Sequence, residues 1–309
     1  MKKRLKIFIP IVILLSLIIL VSWKIILPRI TPSSYKIDTF DIKELNDAER
    51  PFVWDKIAPL QPDFPVDEDG IILYGDKSYS PNQIANIGLY YLDSYRQTHN
   101  AEYLQSARKY ADKLKEISFS YKNALYFPYN FNFAMHERKD DILKAPWYSG
   151  MAQGEALSFF VRLYQVTHQK EYLEVADKIF ASFTYLGKNN SPWTAWVDGN
   201  GFYWIEEYPE EEPDQTLNGF IFGLYGIYDY YQLTKNNQAK EVLQGSLTAL
   251  KHYLPDFRNM GNISFYCLKH KVQNEKYHQT HIKQLNMLYK MTSDEFFLAT
   301  ADNFYNDYH

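Results

Sequence analysis

The stretch LNGFIFGLYGIYDYYQL (residues 217–233), followed after a short polar turn by QAKEVLQGSLTALKHYL (238–254), decides the fold. In both segments apolar residues recur at intervals of three and four, which is the spacing of an amphipathic helix. The turn between them, TKNN (234–237), contains residue types that end one helix and cap the next. The stretch therefore predicts two helices joined as a hairpin.

The same pattern recurs along the chain, and the second helices of the successive pairs begin near residues 101, 171 and 238. The further pairs are IANIGLYYLDSYRQT (84–98) with AEYLQSARKYADKLKEI (101–117), MAQGEALSFFVRLYQV (151–166) with KEYLEVADKIFASF (170–183), and HIKQLNMLYKM (281–291) with DEFFLATADNFYNDY (294–308). Self-similarity at a period of 67–70 residues is typical of stacked helical pairs.

Three aromatic-rich stretches lie between the pairs, at 126–133, 192–209 and 263–270. They are bounded by Gly and Asn and read as short strands or loops. We therefore expect a mainly α protein, an incomplete α/α toroid (barrel) of helical hairpins with short β inserts. The inserts should meet at one end of the toroid and line a cleft, where function is most often found.

Composition narrows the function classes. Of 309 residues, 46% are hydrophobic, 23% charged and 17% aromatic, which indicates a folded chain with rings suited to binding sugars. The net charge of −4 includes six bases and no acid in residues 1–30, so the remaining body is acidic and a nucleic-acid partner is not expected. The single thiol, Cys267, cannot form an internal disulfide or a Cys-based zinc site.

The N-terminus predicts a membrane anchor. Residues 7–23 contain no charge, and the apolar run continues past Lys24 to Leu27, long enough to span a bilayer core of roughly 30 Å. Its length and the lack of an A-x-A site favour an uncleaved anchor over a signal peptide. Residues 1–27 are thus expected to be a cytoplasmic basic tip and a transmembrane helix, which leaves the body outside (extracellular, periplasmic or luminal). Residues 28–69 read as a polar linker and N-terminal extension, and residues 70–309 as the catalytic domain.

The loop YWIEEYPEEEP (203–213) combines five carboxylates with stiff flanking residues. Composition alone favours a solvated acidic loop, whereas the sharper hypothesis places Glu207 or Tyr208 in the cleft. In SFYCLKH (264–270), Tyr266 and Lys269 are candidates that share one surface. In YHQTHIKQL (277–285), a helix-terminus role is favoured over a metal site made by two histidines three residues apart, and no metal site is predicted.

The segment PWYSGMAQGEA (146–156) begins a helix that contains Gly150 and Gly154. These glycines allow the close approach of a backbone or a ligand. No Lys-Ser/Thr pair follows them, so this is not a phosphate loop. The chain also has no G-x-S-x-G, H-E-x-x-H or G-x-G-x-x-G motif, so serine-hydrolase, zincin and dinucleotide-binding functions lack support.

Taken in order, five segments resemble the C-terminal catalytic domain of D-glucuronyl C5-epimerases, which convert glucuronate to iduronate in heparan-type chains. The five segments are GDKSYSPNQIANIGL (75–89), PWYSGMAQGEALS (146–158), EEYPEEEPDQTLNGFIFGLYGIYD (206–229), SFYCLKH (264–270) and YHQTHIKQL (277–285). The resemblance covers residues from about 70 to the C-terminus. It implies an α/α barrel-like fold, and the β-rich domains that precede this one in larger members look absent here.

The resemblance also implies site residues. It assigns catalytic roles to Tyr208, Tyr266, Tyr277 and Glu207. Residues expected to bind substrate are Lys269, Trp147, Tyr148, Gln153, Asn218 and His281. Lys269 stands where arginine is expected, and a lysine cannot make the bidentate fork with a carboxylate. The acidic run 210–212 also departs from the family pattern and suits an unsulfated chain better than a sulfated one.

Epimerisation at C5 needs a proton-transfer group on each face of the sugar and stabilisation of charge at the uronate carboxyl. Tyr208 with Tyr266 or Tyr277 would transfer the protons, and Lys269, which could also lower the pKa of Tyr266, or a protonated Glu207 would stabilise the charge. No cofactor is expected. The predicted partners are an acidic glucuronate-containing polysaccharide, the membrane through residues 7–27, and a second copy of this chain as a homodimer. The alternatives are a polysaccharide lyase, a glycosidase using Glu155 with Glu207, and a glycan-binding protein without activity.

Overall fold

Eight α-helices arranged as four consecutive hairpins make up most of the described residues of the computed structural model, which are 34–75, 77–187 and 192–309. The helices are α1 (Pro81–Thr98), α2 (Ala101–Ile117), α3 (Gly150–Thr167), α4 (Lys170–Ser182), α5 (Leu217–Thr234), α6 (Asn237–Phe257), α7 (Glu275–Thr292) and α8 (Glu295–Asp307). The predicted second helices near 101, 171 and 238 are confirmed by α2, α4 and α6.

In all four hairpins the two helices are joined by a turn of the same conformation. Each first helix ends in a threonine whose hydroxyl donates to the carbonyl four residues earlier, and these threonines are Thr98, Thr167, Thr234 and Thr292. The next residue is left-handed, with φ between 51° and 55°. The residue after that caps the second helix, and its backbone N–H donates to the same threonine hydroxyl. A local hydrogen-bond pattern, repeated four times, therefore sets the hairpin geometry.

The first helices of the hairpins form an inner row. Helix α3 packs on α1 and α5, and α5 also packs on α7, while each second helix packs on its own first helix. Helices α3 and α5 approach backbone to backbone, because a Cβ added at Gly226 would lie 2.6 Å from the Cα of Gly154. The close approach predicted at Gly154 is thus made by the backbone of a neighbouring helix.

Short antiparallel strand pairs lie between the hairpins. The strands are β1 (Phe119–Tyr121), β2 (Ala124–Tyr126), β3 (Phe133–Ala134), β4 (Ile142–Leu143), β5 (Ala195–Val197) and β6 (Tyr203–Ile205). They pair in sequence order as β1–β2, β3–β4 and β5–β6. The insert at 263–270 contributes isolated bridges instead, including one between Thr216 and Cys267. The expected short β inserts are therefore present, in mainly two- and three-residue pieces.

The segment from Tyr35 to residue 69 packs on the helices, which corrects the linker predicted over 28–69. Residues 35–309 form one compact unit. Phe40 and Phe52 are buried in the main hydrophobic core, and the side-chain amide of Gln244 in α6 bonds both backbone polar groups of Phe40. The polar composition of this segment hid these few anchoring aromatic residues, which bury enough apolar surface to order it.

The predicted membrane anchor at 7–27 lies outside the described residues. Among the helices that the structure describes, none combines the length and the apolarity needed to cross a bilayer.

Candidate active site

Three of the predicted catalytic residues converge from separate segments of the chain. Glu207 and Tyr208 follow strand β6, and Tyr266 lies about 60 residues later in the insert before α7. The backbone carbonyl of Tyr266 accepts from the N–H of Leu217, the first residue of α5, at 3.1 Å. This contact fixes the insert against the start of the inner helix that follows Glu207.

The side chains form a connected chain of hydroxyl and carboxyl groups. The hydroxyl oxygens of Tyr208 and Tyr266 lie 3.2 Å apart, and the Tyr266 hydroxyl donates to Glu207 Oε2 at 3.3 Å. Tyr208 also hydrogen-bonds to the Glu207 carboxyl group. Tyr277, in the first turn of α7, brings its ring to 4.6 Å from that of Tyr266. The structure therefore places all four residues predicted as catalytic in one cluster.

Burial sets the protonation of this cluster. It raises the pKa of Glu207 from 4.5 to about 7, against hydrogen bonds from Tyr208 and Tyr266 that lower it. Burial, followed by the charge of Glu207, raises the pKa of Tyr208, Tyr266 and Tyr277 above 10. Near neutral pH the tyrosines are therefore protonated donors, and Glu207 is the group that changes charge.

The cluster lies at the wall of an open cavity of about 670 Å³, lined by Tyr208, Tyr266 and Tyr277. A second cavity of about 230 Å³ shares Tyr208 and Tyr277 with it and reaches Glu207. Their combined space is of the size of small-molecule or oligosaccharide sites, which are typically several hundred Å³. A ligand in this space would meet the tyrosine hydroxyls directly.

Two neighbours hold Glu207 and Tyr208 in place. Glu206 is fully buried, and its carboxyl oxygens accept from the backbone N–H groups of Tyr208 and Gln215, which fixes the loop. Gly219 in α5 leaves space for the Glu207 side chain, because a Cβ there would lie 2.5 Å from Glu207 Cβ. The turn after β6 and the glycine in α5 together make the position of the carboxyl group.

The sequence pattern of the family described as D-glucuronyl C5-epimerase C-terminus matches residues 122–306, more than half of the chain. This chain belongs to that family. The resemblance read from its five segments is thereby confirmed.

Two relatives match parts of this C5-epimerase family member. A D-glucuronyl C5-epimerase of Caenorhabditis elegans is 29% identical, over 52% of this chain and 29% of that protein. A cellobiose 2-epimerase of Dictyoglomus turgidum is 31% identical, over 28% of this chain and 21% of that protein. The chain thus spans less than a third of the length of either relative.

Solved structures show the fold. A cellobiose 2-epimerase from Bacillus thermoamylovorans B4167 matches with a TM-score of 0.57 and 14% identity, over 81% of this chain and 68% of that one. A GH76A α-1,6-mannanase from Salegentibacter sp. HEL1_6 matches with a TM-score of 0.50 and 14% identity, over 75% and 61%. At these identities the likeness concerns architecture alone, and it agrees with the predicted α/α toroid of helical hairpins.

In this C5-epimerase family member, the two aromatic residues predicted to bind sugar rings lie on different sides of their segment. Trp147 lines the second cavity and stacks on Tyr129 at 3.9 Å. Tyr148 packs edge-on to Tyr126 and lines a neighbouring hollow, which Trp147 and Trp193 also line. Adjacent residues in an extended segment face opposite sides, which explains why one ring reaches the cavity and the other does not.

Three predicted substrate contacts are interior residues instead. Gln153 is fully buried, and its amide bonds Phe127 N–H, the Leu125 carbonyl and Ser182 Oγ. Asn218 is 2% exposed at the start of α5. His281 is fully buried and shares Ser264 Oγ as a hydrogen-bond partner with its neighbour His278. Asn218 Oδ1 and His281 Nε2 are buried without a hydrogen-bond partner among the described residues. None of the three side chains is among the described residues that line the two cavities, so their binding of substrate stays a prediction.

Lys269 does not reach the tyrosines. Its ammonium lies 3.0 Å from Glu210 Oε2, so the acidic run neutralises it. Burial and the Glu207 carboxyl dominate the pKa of Tyr266, and both raise it. The expectation that Lys269 lowers the pKa of Tyr266 is therefore not met.

The sequence interpretation missed several cavity residues. They are Tyr74, Asn132, Phe133, His136 and Asn274, all of which line the larger cavity. Phe133 stacks on Tyr208 with ring centroids 5.7 Å apart and an interplanar angle of 9°. The aromatic enrichment of the insert YFPYNFNF (126–133) was the available signal, but nothing local indicated which ring would face Tyr208.

One residue of the catalytic pair considered for a glycosidase, Glu155, does not line either cavity. Glu155 is 3% exposed in α3, and burial followed by the charge of Glu207 raises its pKa well above the ordinary range. Glu155 is not among the described residues that line the two cavities. It is a buried residue close enough to Glu207 for the charge of that carboxyl group to raise its pKa.

Proposed function

We propose that this protein inverts C5 of D-glucuronate residues in a heparosan-like polysaccharide to give L-iduronate. The observation that carries the proposal is the hydrogen-bonded chain of Tyr208, Tyr266 and Glu207 at the wall of the larger cavity. Family membership supports it, and so does the name of the Caenorhabditis elegans relative. Because the chain covers 29% of that relative, the activity is proposed for this chain on its own residues.

The reaction breaks and remakes one C–H bond. A base removes the C5 proton, and the electron pair moves into the adjacent carboxyl group as an enolate. A proton donor on the opposite face then returns a proton to C5. Protons and electrons balance without a redox partner, so the residues need only transfer protons and stabilise charge.

Glu207 is the proton acceptor of the cluster in this proposal. Hydrogen bonds from Tyr208 and Tyr266 favour its ionised form, and its pKa of about 7 makes that form available at neutral pH. A carboxyl group that accepts two hydroxyl bonds is a poor donor to the uronate. We therefore replace the protonated Glu207 expected from the sequence with an ionised one that draws a proton from the tyrosines.

The tyrosines transfer protons to and from carbon. Tyr266 donates to Glu207 and becomes the basic phenolate when that proton moves. Because the hydroxyl oxygens of Tyr208 and Tyr266 lie 3.2 Å apart, these two tyrosines share one face of the sugar ring, and Tyr277, which hydrogen-bonds Tyr266, serves the other face. The proton held by Glu207 then returns through Tyr266 to the tyrosine that donated to C5, which restores the cluster. Neutral donors that line the same cavity, Tyr74 and Asn274, are in position to hold the uronate carboxyl group in place of Lys269.

The charge around the cavity favours an unsulfated polymer. Glu210 binds Lys269, and Glu211 lies on the same loop beside Trp147 in a neighbouring hollow. Lys269, the cation of this insert, is already paired with Glu210 and is not available to a sulfate ester, whereas the faces of Phe133 and Trp147 suit the apolar faces of sugar rings. Heparosan meets both conditions.

The test is incubation of the protein with heparosan in deuterated water, followed by NMR. We expect deuterium at C5 together with iduronate signals. Exchange with a new ultraviolet-absorbing unsaturated uronate would instead identify a lyase, and new reducing ends without exchange would identify a hydrolase. Absence of all three with heparosan and its N-sulfated form would overturn the proposed activity.

Tyrosine variants test the assignment of residues. Tyr208→Phe and Tyr266→Phe should each lower kcat by about 10²- to 10⁴-fold, the usual contribution of general acid–base catalysis. Tyr148→Phe is the matched control, since Tyr148 lies outside both cavities and should leave kcat unchanged. Measuring exchange separately from glucuronate and from iduronate assigns the faces, because a variant that lacks one base loses exchange from one epimer first. Full activity in both cluster variants would contradict the roles given to them.

We further propose that residues 7–27 tether the protein to a membrane with the catalytic body on the outer side. The charge-free run and the preceding bases Lys2, Lys3, Arg4 and Lys6 support this topology. The full chain should stay with membranes through an alkaline carbonate wash, and a form without residues 1–30 should not. Release of the full chain by that wash would contradict the anchor.

A further inference from the structure

A second cluster of reactive side chains lies beside Tyr266, and the proposed reaction does not use it. It consists of His136, Asp214, Cys267 and His270, whose donor atoms all lie within 4.8 Å of one another. These residues come from the 3₁₀ turn Met135–Glu137 after β3, the segment before α5, and the insert before α7. Three separate parts of the chain therefore contribute to the cluster: the turn and the segment before α5 bring one donor atom each, and the insert brings two.

We propose that this cluster is a binding site for a transition-metal ion of the zinc type. Two imidazoles, a thiolate and a carboxylate are the ligand types that Zn²⁺ takes in proteins, whereas Ca²⁺ and Mg²⁺ prefer oxygen atoms alone. Cys267 and His270 have the two-residue spacing common among zinc ligands on a turn. The single thiol led us to exclude a Cys-based zinc site and to predict no metal; we revise that expectation here, because three of these four ligands are not cysteines.

The distances are close to those of a tetrahedral site. With bonds of about 2.0–2.3 Å, neighbouring ligand atoms lie roughly 3.3–3.7 Å apart. Cys267 Sγ is 3.6 Å from His136 Nε2, which already fits. Asp214 Oδ2 lies 2.9 Å from His136 Nε2, and Asp214 Oδ1 lies 2.7 Å from His270 Nδ1. Whichever oxygen binds must move about half an ångström from its imidazole nitrogen as the ion takes the place of the proton.

The surroundings support ligands held in this orientation. Asp141 Oδ2 lies 3.1 Å from the other ring nitrogen of His270, the carboxylate–histidine arrangement that orients metal-binding imidazoles. Burial and the charge of Asp214 raise the pKa of the Cys267 thiol to about 12, so the ion must displace its proton. The backbone N–H groups of His270 and Val272, which donate to Sγ, would then stabilise the bound thiolate. Asp214 and Cys267 are fully shielded from solvent.

Four protein ligands leave no open position, so the ion would be structural. It would tie the insert that carries Tyr266 to the turn after β3 and to the segment before α5. The ring of His136 packs edge to face on that of Tyr266, with centroids 5.5 Å apart, so the proposed metal site directly adjoins the tyrosine cluster. The ion would therefore hold Tyr266 in position and take no part in proton transfer.

The test uses Co²⁺ as the probe, added to the metal-free full chain purified in detergent. We expect one ion per chain, the strong visible absorption of tetrahedral Co²⁺, and a thiolate-to-cobalt charge-transfer band in the near ultraviolet. Zn²⁺ should displace Co²⁺, abolish both bands and raise Tm. Absence of stoichiometric binding, or an octahedral spectrum without the charge-transfer band, would overturn the proposal.

Variants distinguish metal binding at this cluster from binding at exposed side chains elsewhere on the protein. Cys267→Ser should remove the charge-transfer band, and Asp141→Asn, which leaves all four ligands in place, should weaken binding about 10- to 100-fold. His252→Gln, at an exposed position of α6, is the matched control and should bind like the wild type. Circular dichroism establishes that each variant is folded. Equal Co²⁺ affinity in the Cys267, Asp141 and His252 variants would contradict the site, whatever activity the protein has on heparosan.

Discussion

At the residue scale, the carboxyl group of Glu207 is buried beside two tyrosine hydroxyls in a place where water cannot solvate its charge. Burial alone would keep it protonated, but the hydroxyl bonds return its pKa to about 7. A carboxyl group that titrates near the working pH is suited to proton transfer, since both of its forms are populated. The catalytic property of this residue thus arises from two opposing local effects, of which burial is the larger.

The first prediction concerns the pH dependence of the rate. Because the ionised form of Glu207 accepts the proton, kcat should rise as the pH increases through about 7, and Glu207→Gln should abolish most activity. The measurement is a kcat–pH profile with heparosan between pH 5 and 9. A profile that falls across this range would show that the protonated form is the active one.

The same pKa has a consequence for stability. The folded state holds the Glu207 proton more tightly than the unfolded chain does, so the contribution of this group to the free energy of unfolding falls as the pH rises from about 4.5 through about 7. Relative to wild type, Glu207→Gln should therefore be more favourable at pH 8 than at pH 5. Urea unfolding at the two pH values measures this difference, and an equal difference at both would contradict the raised pKa.

The second prediction concerns the glycine that makes room for this carboxyl group. In Gly219→Ala the new methyl group would overlap Glu207, so the side chain must move away from Tyr266. We expect kcat to fall at least tenfold and the free energy of unfolding to fall by about 1–3 kcal/mol. Gly199→Ala is the control, because no atom lies within 4 Å of a Cβ there. Kinetics and unfolding of Gly219→Ala that match those of Gly199→Ala would contradict the steric argument.

At the element scale, the repeated turn between paired helices is a purely local structure. Threonine, a left-handed residue and a capping residue follow one another in each hairpin, as in Thr292, Ser293 and Asp294. The left-handed position is taken by histidine, lysine or serine, so every turn carries the steric cost of a Cβ at positive φ. Glycine would remove that cost.

The third prediction follows from this cost. Ser293→Gly should raise the free energy of unfolding by about 0.5–1 kcal/mol, since glycine adopts the left-handed conformation without strain. The control is Lys283→Gly at an exposed position in the middle of the same helix, which should lower it by about 1 kcal/mol. Chemical unfolding of the two variants measures both effects. Destabilisation by Ser293→Gly would show that its side chain contributes more than the strain costs.

At the scale of the whole molecule, the segment 35–69 binds the inner helices through a buried charge pair. Arg162 in α3 donates to Asp229 in α5 at 2.8 Å and to the carbonyls of Pro51 and Phe52. One guanidinium group therefore joins two inner helices and the segment that precedes the first hairpin. Such a pair is costly to form but more costly to break from one side.

The fourth prediction tests this junction. Arg162→Ala leaves Asp229 buried without its partner and should lower the free energy of unfolding by about 3–5 kcal/mol. Arg138→Ala removes an exposed arginine–aspartate pair and should change it by less than about 1 kcal/mol. Urea unfolding with fluorescence detection measures both. Similar small losses in the two variants would show that the buried junction is not needed for the packing of 35–69.

The sequence by itself determined the four hairpins, because helix periodicity, threonine turns and caps depend on residues a few positions apart. One boundary was missed, since α7 begins at Glu275, six residues before the predicted segment 281–291. The family resemblance likewise picked out Glu207, Tyr208, Tyr266 and Tyr277, which share one cluster. Only the tertiary structure decided which polar residues face the cavity. Gln153 and His281 occupy helix faces turned inward, and the rotation of a helix is fixed by its neighbours as well as its own pattern.

The tertiary structure also decided the contacts between distant segments. His136 reaches Asp214 and Cys267 across 78 and 131 positions of sequence, and Phe40 reaches Gln244 across 204. Local patterns carry no information on such pairings, since they arise when the hairpins stack and share one core. The composition of 28–69 suggested a linker for the same reason: what orders its described part is the surface of other helices, against which a few aromatic side chains lose their contact with water.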